Sequence, residues 1–583
     1  MSTFDGLYAR NDHREEVVSD VLIRGGTVID GSGGAGYPGD VRVRGGVITE
    51  IGAELHADGE KVLDASGAFV SPGFIDTHTH FDPTVFWDPS CDPVPQHGVT
   101  TVLVGNCSLS MAPVRPGGAE ELSTLFAYIE DLPDHVFRDN VTWDWERYPS
   151  YVDCMSEKSF GVNVAGLVGH TPIRLYVMGA EAWQRDATSE ERAAMADLLR
   201  ESLRAGAFGM SSSLGFDEDR NKRPVPSRLA NDEELGALID VLAEESAFLQ
   251  FIPSPVPKYL TRDVSRVADL TRPSGVVSTW INIFYDDQRP GLALEQLDFS
   301  AQLQASGARC YPQVSPRGLD IQVNWSGGMS FYTMPNGWHR AVQAGAAEKA
   351  ELLADRDWRA TAREEWDRVP FTMIRHRLPH RILLTSVSRE ENSAWIGRTF
   401  AELVEERGGH PSDVLADWLL ANDLQPGVVG TGIANNNPEG VAATLLHPAG
   451  VISNSDAGAH LQMMCAVGDT TLLLTRHVRD RGDMSVEDAV HRVTGRQADL
   501  FGFDRRGRLQ LGFAGDLAVF DLDELHWDEP AMTPDLPKGA LRLRRGPGGY
   551  RYTVVAGTVV QEAGQLTGVL PGRTLRKGDG VPA

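Results

Sequence analysis

Phe74-Ile75-Asp76-Thr77-His78-Thr79-His80 is a short apolar run that breaks into two histidines. On a β-strand, residues i and i+2 point to the same side, so this pattern aims both imidazoles in one direction. Imidazole nitrogen is a good ligand for a borderline metal such as zinc. The pair alone says little. With 16 histidines in 583 residues, a His-x-His is expected by chance roughly 0.4 times. Its weight comes from what surrounds it.

Upstream, VLIRGGTVID, DVRVRGGVITEIG and KVLDASGAFVSPG alternate apolar and polar residues between glycine turns, and so predict short strands over about 20–72. The far end has the same texture in GRLQLGFAGDLAVFDLDEL and YRYTVVAGTVVQEAGQL. Both ends are expected to join in one small β-sandwich, built from 1–72 and 501–583. Between them lie eight strand candidates, FIDTHTH, TTVLVGNC, GVNVAGLVGH, AFGMSSSL, AFLQFI, GVVSTWINIF, RCYPQV and GVISNSD. Segments such as EERAAMADLLRESLRAG, with apolar residues three and four apart, separate them. This rhythm predicts an α/β fold, a TIM-like (β/α)8 barrel over 73–500. The stretch of about 315–445 is too long for one connection and is expected to be an insertion near the barrel mouth, with RILLTSVSRE and GVVGTGI as extra strands.

In such barrels the chemistry sits where strands end at the carboxyl face. His78 and His80 close the first strand. Asp456 stands where the last apolar run breaks, in VISNSDAGAH; it is read as a metal ligand and proton acceptor or as a turn residue capping a helix. Cys107 ends the second strand in TTVLVGNCS, as a metal thiolate or a buried inert cysteine.

The pieces GGTVIDGSG, SPGFIDTHTHFD, HGVTTVLVGNCS, LVGHTPIR, GAFGMSSSL, SDAGAH and GRLQLGFAGDLAVFD resemble, in order and over most of the chain, the amidohydrolase superfamily and its D-aminoacylase branch. The resemblance implies metal ligation by His78, His80 and Cys107 and a catalytic Asp456. The family's fifth- and sixth-strand histidines are missing. Gln250 or Phe251 stands near the first position and Trp280 to Asn282 at the second, so one pocket of the family site is retained and the other dismantled. One zinc ion is therefore expected. The family's sixth-strand lysine has no counterpart, and its seventh-strand Tyr-Pro-Tyr is Tyr311-Pro312-Gln313. Substrate contacts are sought instead at His170, Arg174, Arg317 and Asn282, the arginines because a guanidinium grips a carboxylate with two bonds.

The net charge of −27 repels phosphate backbones and anionic lipid. Five scattered cysteines argue against a disulfide framework. Residues 1–16 are polar, without the apolar core of a signal peptide. The expectation is a cytoplasmic homo-oligomer acting on a small molecule, with neither nucleic acid nor membrane as partner. The expected reaction is hydrolysis of a small amide, an N-acyl-D-amino acid or similar, by metal-activated water with Asp456 as general base and then acid. A barrel retooled for lyase, isomerase or decarboxylase chemistry and a metal-free scaffold are the alternatives.

Overall fold

The computed structural model describes residues 20–215, 217–326, 336–369, 374–453 and 455–579; the polar opening segment lies outside them. All eight strand candidates form one parallel sheet in chain order: Phe74–Asp76, Val99–Val104, Asn163–Gly169, Gly209–Ser213, Phe248–Ile252, Ser278–Ile283, Cys310–Val314 and Val451–Ile452. Val99–Val104 buries all six of its residues, and Gly209–Ser213 and Phe248–Ile252 all five. Burial on both faces is the condition under which a purely parallel sheet is stable, with helices outside and packed side chains within.

The outer helices start where the sequence offers caps. Thr188 Oγ1 accepts from the Glu191 amide at 3.2 Å while Glu191 Oε2 accepts from the Thr188 amide at 2.8 Å, opening Ser189–Arg204. Asn231 caps Asp232–Glu244 by accepting from the Glu234 amide.

The first strand's regular ladder ends at Asp76, short of the histidines. Pairing resumes beyond it. A parallel bridge joins Thr79 to Ala457, the His80 amide donates to Ala457 O at 2.7 Å, and the Asp456 amide donates to His78 O at 3.1 Å. These contacts join the first and last strands and close the barrel at the point where the histidines and Asp456 stand.

The insertion holds a three-stranded antiparallel sheet ordered Leu319–Gln322, Gly427–Ala434, Ile382–Ser386. Leu319–Gln322 is a strand that the sequence pattern does not announce. The unit leans on the barrel mouth: the Gln322 amide donates to Met463 O, and Asn324 Nδ2 donates to Asp131 Oδ1 at 2.6 Å.

Both chain ends meet in one nine-stranded sheet that branches at Val21–Val28. Phe69–Pro72, the last strand of the N-terminal part, pairs antiparallel with Leu517–Phe520. Val21, Ile23, Val41, Leu63, Val70, Leu517, Val519 and Val554 share its core. The chain then returns to the barrel, where Gly572 and Thr574 bridge to Phe160 and Val164. No helix among the described residues is long and apolar enough to cross a membrane.

Candidate metal centre

Four side chains from three strand ends converge. The ligand atoms of His78, His80 and Cys107 all lie within 4.8 Å of one another. His78 Nε2 is 3.2 Å from Cys107 Sγ and 3.6 Å from Asp456 Oδ1, and His80 Nε2 is 3.2 Å from the same oxygen. Cys107, Ser108 and Asp456 all have left-handed backbones, with φ of 57°, 67° and 64°. Such a conformation costs a non-glycine residue roughly 1–2 kcal/mol, and its recurrence at three positions of one cluster is the pattern of strain held at a working site.

The outer nitrogen of His78 is held by a hydrogen bond, and that of His80 faces a carboxylate. His78 Nδ1 donates to Gln313 Oε1 at 2.8 Å, and Gln313 is itself fixed by donating from Nε2 to Thr279 Oγ1 at 3.1 Å. His80 Nδ1 lies 3.1 Å from Glu130 Oε1. At His78 the Gln313 bond puts the proton on Nδ1 and turns the Nε2 lone pair to the cluster, the arrangement found where histidine binds a metal. Two imidazole nitrogens, a sulfur and a carboxylate oxygen make a donor set that fits zinc.

The two rings differ in charge: His78 is kept neutral, whereas His80 is protonated in the absence of an ion and gives up that proton to ligate. Burial holds His78 down at about 4, against the pull of Asp456, so its ring is neutral and free to ligate. Burial would lower His80 too, but Glu130, Cys107 and Asp456 outweigh it and raise it. Asp456 falls well below the ordinary carboxylate range because its bond to His80 and the surrounding histidine charge overcome desolvation. Cys107 is pushed up to about 12 by burial, so its thiolate needs a positive partner to exist at neutral pH.

Several neighbours were not picked out from the sequence. Glu130 follows Ala119–Ile129, and Asp131 comes next with φ 53°. Two acids at a helix C-terminus oppose the helix dipole; that misplacement is the one signal that pointed to a second task. Asp76 accepts from Ser455 Oγ at 2.6 Å and from the His78 amide at 3.3 Å, linking the two strand ends. His460 stands with Nε2 4.0 Å from Asp456 Oδ2.

The expected substrate contacts resolve differently. His170 bonds Glu234 Oε1 at 2.8 Å and Ser212 Oγ at 3.0 Å, and Arg174 donates to Glu234 Oε2 and to Arg185 O. Both side chains are wholly buried and turned onto Glu234, so they hold loops together. The fork of Arg317 is likewise engaged, by Asp469 Oδ1 at 3.0 Å and Ser455 O at 2.9 Å; it braces the residue preceding Asp456. Asn282 is half-buried on the sixth strand, and among the described contacts it makes no bond to the four central residues. At the positions of the missing histidines, Gln250 Oε1 accepts from the Cys107 amide at 2.8 Å, while Phe251 and Trp280 are packed in the core. The Gln250 oxygen is thus engaged by the Cys107 backbone.

The fold and this cluster define a barrel hydrolase, and comparison with known proteins gives the class. The amidohydrolase family model matches residues 61–561, and the chain belongs to that family, as a hydrolase acting on carbon–nitrogen bonds. An uncharacterized protein of Mycobacterium tuberculosis is 33% identical over 610 aligned residues, covering 98% of this chain and 97% of its own length. The N-acyl-D-aspartate deacylase of Alcaligenes xylosoxydans xylosoxydans is 29% identical over 568, covering 97% and 96%. Among solved structures, the N-acyl-D-glutamate deacylase from Bordetella bronchiseptica, complexed with zinc and a phosphonate mimic of the tetrahedral intermediate, shares the fold at a TM-score of 0.66 and 24% identity, over 96% of this chain and 99% of that one.

Proposed function

We propose that the protein removes the acyl group from an N-acyl-D-amino acid or a closely similar small amide, using one divalent ion, zinc, at His78, His80, Cys107 and Asp456. The observation that carries this is the convergence of both Nε2 atoms, the thiol and Asp456 Oδ1 at the closing seam of the barrel. The full-length alignment with the Alcaligenes deacylase supports the substrate class. An ion held there supplies Lewis acidity, bringing the pKa of water from ~15.7 toward ~7 and polarising a carbonyl. The residues supply the rest. Gln313 fixes the His78 ring, and Glu130 sets a negative charge behind His80. Asp456, kept ionised by His80, takes the proton of the attacking water and passes it to the departing nitrogen. Arg317 and Asp76 hold the segment that carries Asp456, so the base is placed before substrate arrives.

The test is elemental analysis followed by a substrate panel. About one zinc per chain and release of amine from N-acyl-D- but not N-acyl-L-amino acids are expected. Less than about 0.1 metal per chain after zinc or manganese is supplied would overturn the reading, since the chemistry needs a bound ion. Metal without amine release from any amide would favour a non-hydrolytic reaction at the same site.

A further inference from the structure

The fifth strand carries a buried donor with no acceptor among the described residues. Gln250, on Phe248–Ile252, is 1% exposed. Its Oε1 accepts from the Cys107 amide at 2.8 Å, whereas its Nε2 is buried with no hydrogen-bond partner among the described residues. The two ends of the carboxamide cannot be exchanged, because an NH2 turned toward Cys107 would face another N–H. An unpaired buried polar group costs roughly 1–3 kcal/mol, and here the group lies against the backbone of a residue whose thiol belongs to the metal cluster.

We propose that Gln250 donates from Nε2 to the carbonyl oxygen of the scissile amide and stabilises the negative charge that develops there. The inference rests on the deacylase reading above and adds a residue to it. Two features support the direction. The order of the sheet places the fifth strand across the barrel from the first, and Asp456 lies at the seam of the first and last. Water activated beside Asp456 and an oxygen directed toward Gln250 then occupy different bonds of the same carbonyl carbon, as addition requires. The donor is also preorganised. The Cys107 amide holds one end of the carboxamide, and the next amide, of Ser108, is held by Ser211 Oγ at 3.0 Å, so the turn against which Gln250 rests is itself fixed. Such a donor does its work without reorganising during the reaction. The site is thus more than a family site with a ligand missing: the position gives up its place on a metal and presents a neutral donor instead.

The experiment compares wild type with Gln250→Leu and Gln250→Glu. Glutamate keeps an oxygen for the Cys107 amide and removes the donor; leucine removes both. Three readouts are taken: zinc content with the visible spectrum of the cobalt-loaded proteins, kcat and KM on the best amide, and affinity for a phosphonate mimic of the tetrahedral adduct. Loss of one such donor typically lowers kcat by ~10²–10³-fold. The expected result is a fall of that size in both variants, a similar loss of phosphonate affinity, KM changed by less than about threefold, and an unaltered cobalt spectrum in Gln250→Leu. Kinetics and phosphonate affinity within about threefold of wild type would overturn the proposal. So would a cobalt spectrum changed in both variants with activity lost in proportion to metal, which would make Gln250 only a support for Cys107. If wild type cleaves no amide, the deacylase reading fails by itself, while phosphonate binding still reports on the donor.

Discussion

Glu130→Ala removes the carboxylate behind His80 and leaves every residue of the four-atom cluster in place. The side chains of His80 and Glu130 are each 2% exposed. With Ala at 130, the buried negative charge facing His80 Nδ1 would be gone, and the ring would be freer to turn its Nε2 away. Loss of such an outer partner typically lowers metal affinity 10–100-fold, about 1.4–2.7 kcal/mol. Glu130→Gln keeps an acceptor but gives up the charge. Charge-assisted bonds are about twice as strong as neutral ones, so its loss should be about half as large in free energy. The assay is zinc competition against a chromophoric chelator at neutral pH, with circular dichroism to establish that each variant is folded. Glu120, exposed on the same helix, serves as the control: Glu120→Ala should leave affinity unchanged. A folded Glu130→Ala protein that binds zinc within about twofold of wild type would refute the claim that this carboxylate orients His80.

Gly458 has φ +91°, and a Cβ there would meet the backbone of His80 at 2.7 Å; Gly458→Ala should destabilise the fold by at least ~1–3 kcal/mol and lower zinc uptake, read by thermal melting and metal analysis. Arg506 and Asp516 are a buried pair, and Asp516 also accepts from Asn163 Nδ2 at 3.0 Å and from the Ala556 amide at 2.8 Å, tying the barrel to the small β unit. Arg506→Met should cost ~3–5 kcal/mol by stranding that carboxylate, and a loss below about 1 kcal/mol in urea unfolding would contradict this. Burial, then Arg545, holds His97 at about 3, neutral between Thr471 Oγ1 and Gly546 O. Above its ordinary value of 6.5 both states are neutral; below it the unfolded chain binds a proton that the folded chain refuses, so stability falls as pH falls until about 3. Between pH 7 and pH 5 this group should contribute a loss of about 2 kcal/mol, absent in His97→Asn when unfolding is followed at both values.

The barrel was legible in the sequence because its signals are local. Each strand is an apolar run of fixed length between turn residues, and each helix shows its own period and cap, as Thr188 with Glu191 does. His78, His80, Cys107 and Asp456 were legible for a related reason: they stand at strand ends, and strand ends share one face of the barrel. What the sequence hid is set by distance along the chain. Gln313 lies 235 residues from His78 and Gln250 lies 143 from Cys107, so no spacing rule joins them, although a carboxamide at each place is what holds the cluster. The arginines misled for the same reason. Arg317 and Arg174 carry the chemistry of carboxylate recognition, but the fold turns that chemistry inward, onto Asp469 and Glu234. A guanidinium declares what it can bind and not what it faces. The histidine losses have the opposite character. They were visible as absences, yet their meaning came only with the packing: Trp280 is packed in the core, whereas Gln250 is bonded by its oxygen to the backbone of Cys107. Two substitutions that look alike in the sequence therefore differ in what they touch: of the two, only Gln250 is joined to a residue of the metal cluster among the described hydrogen bonds.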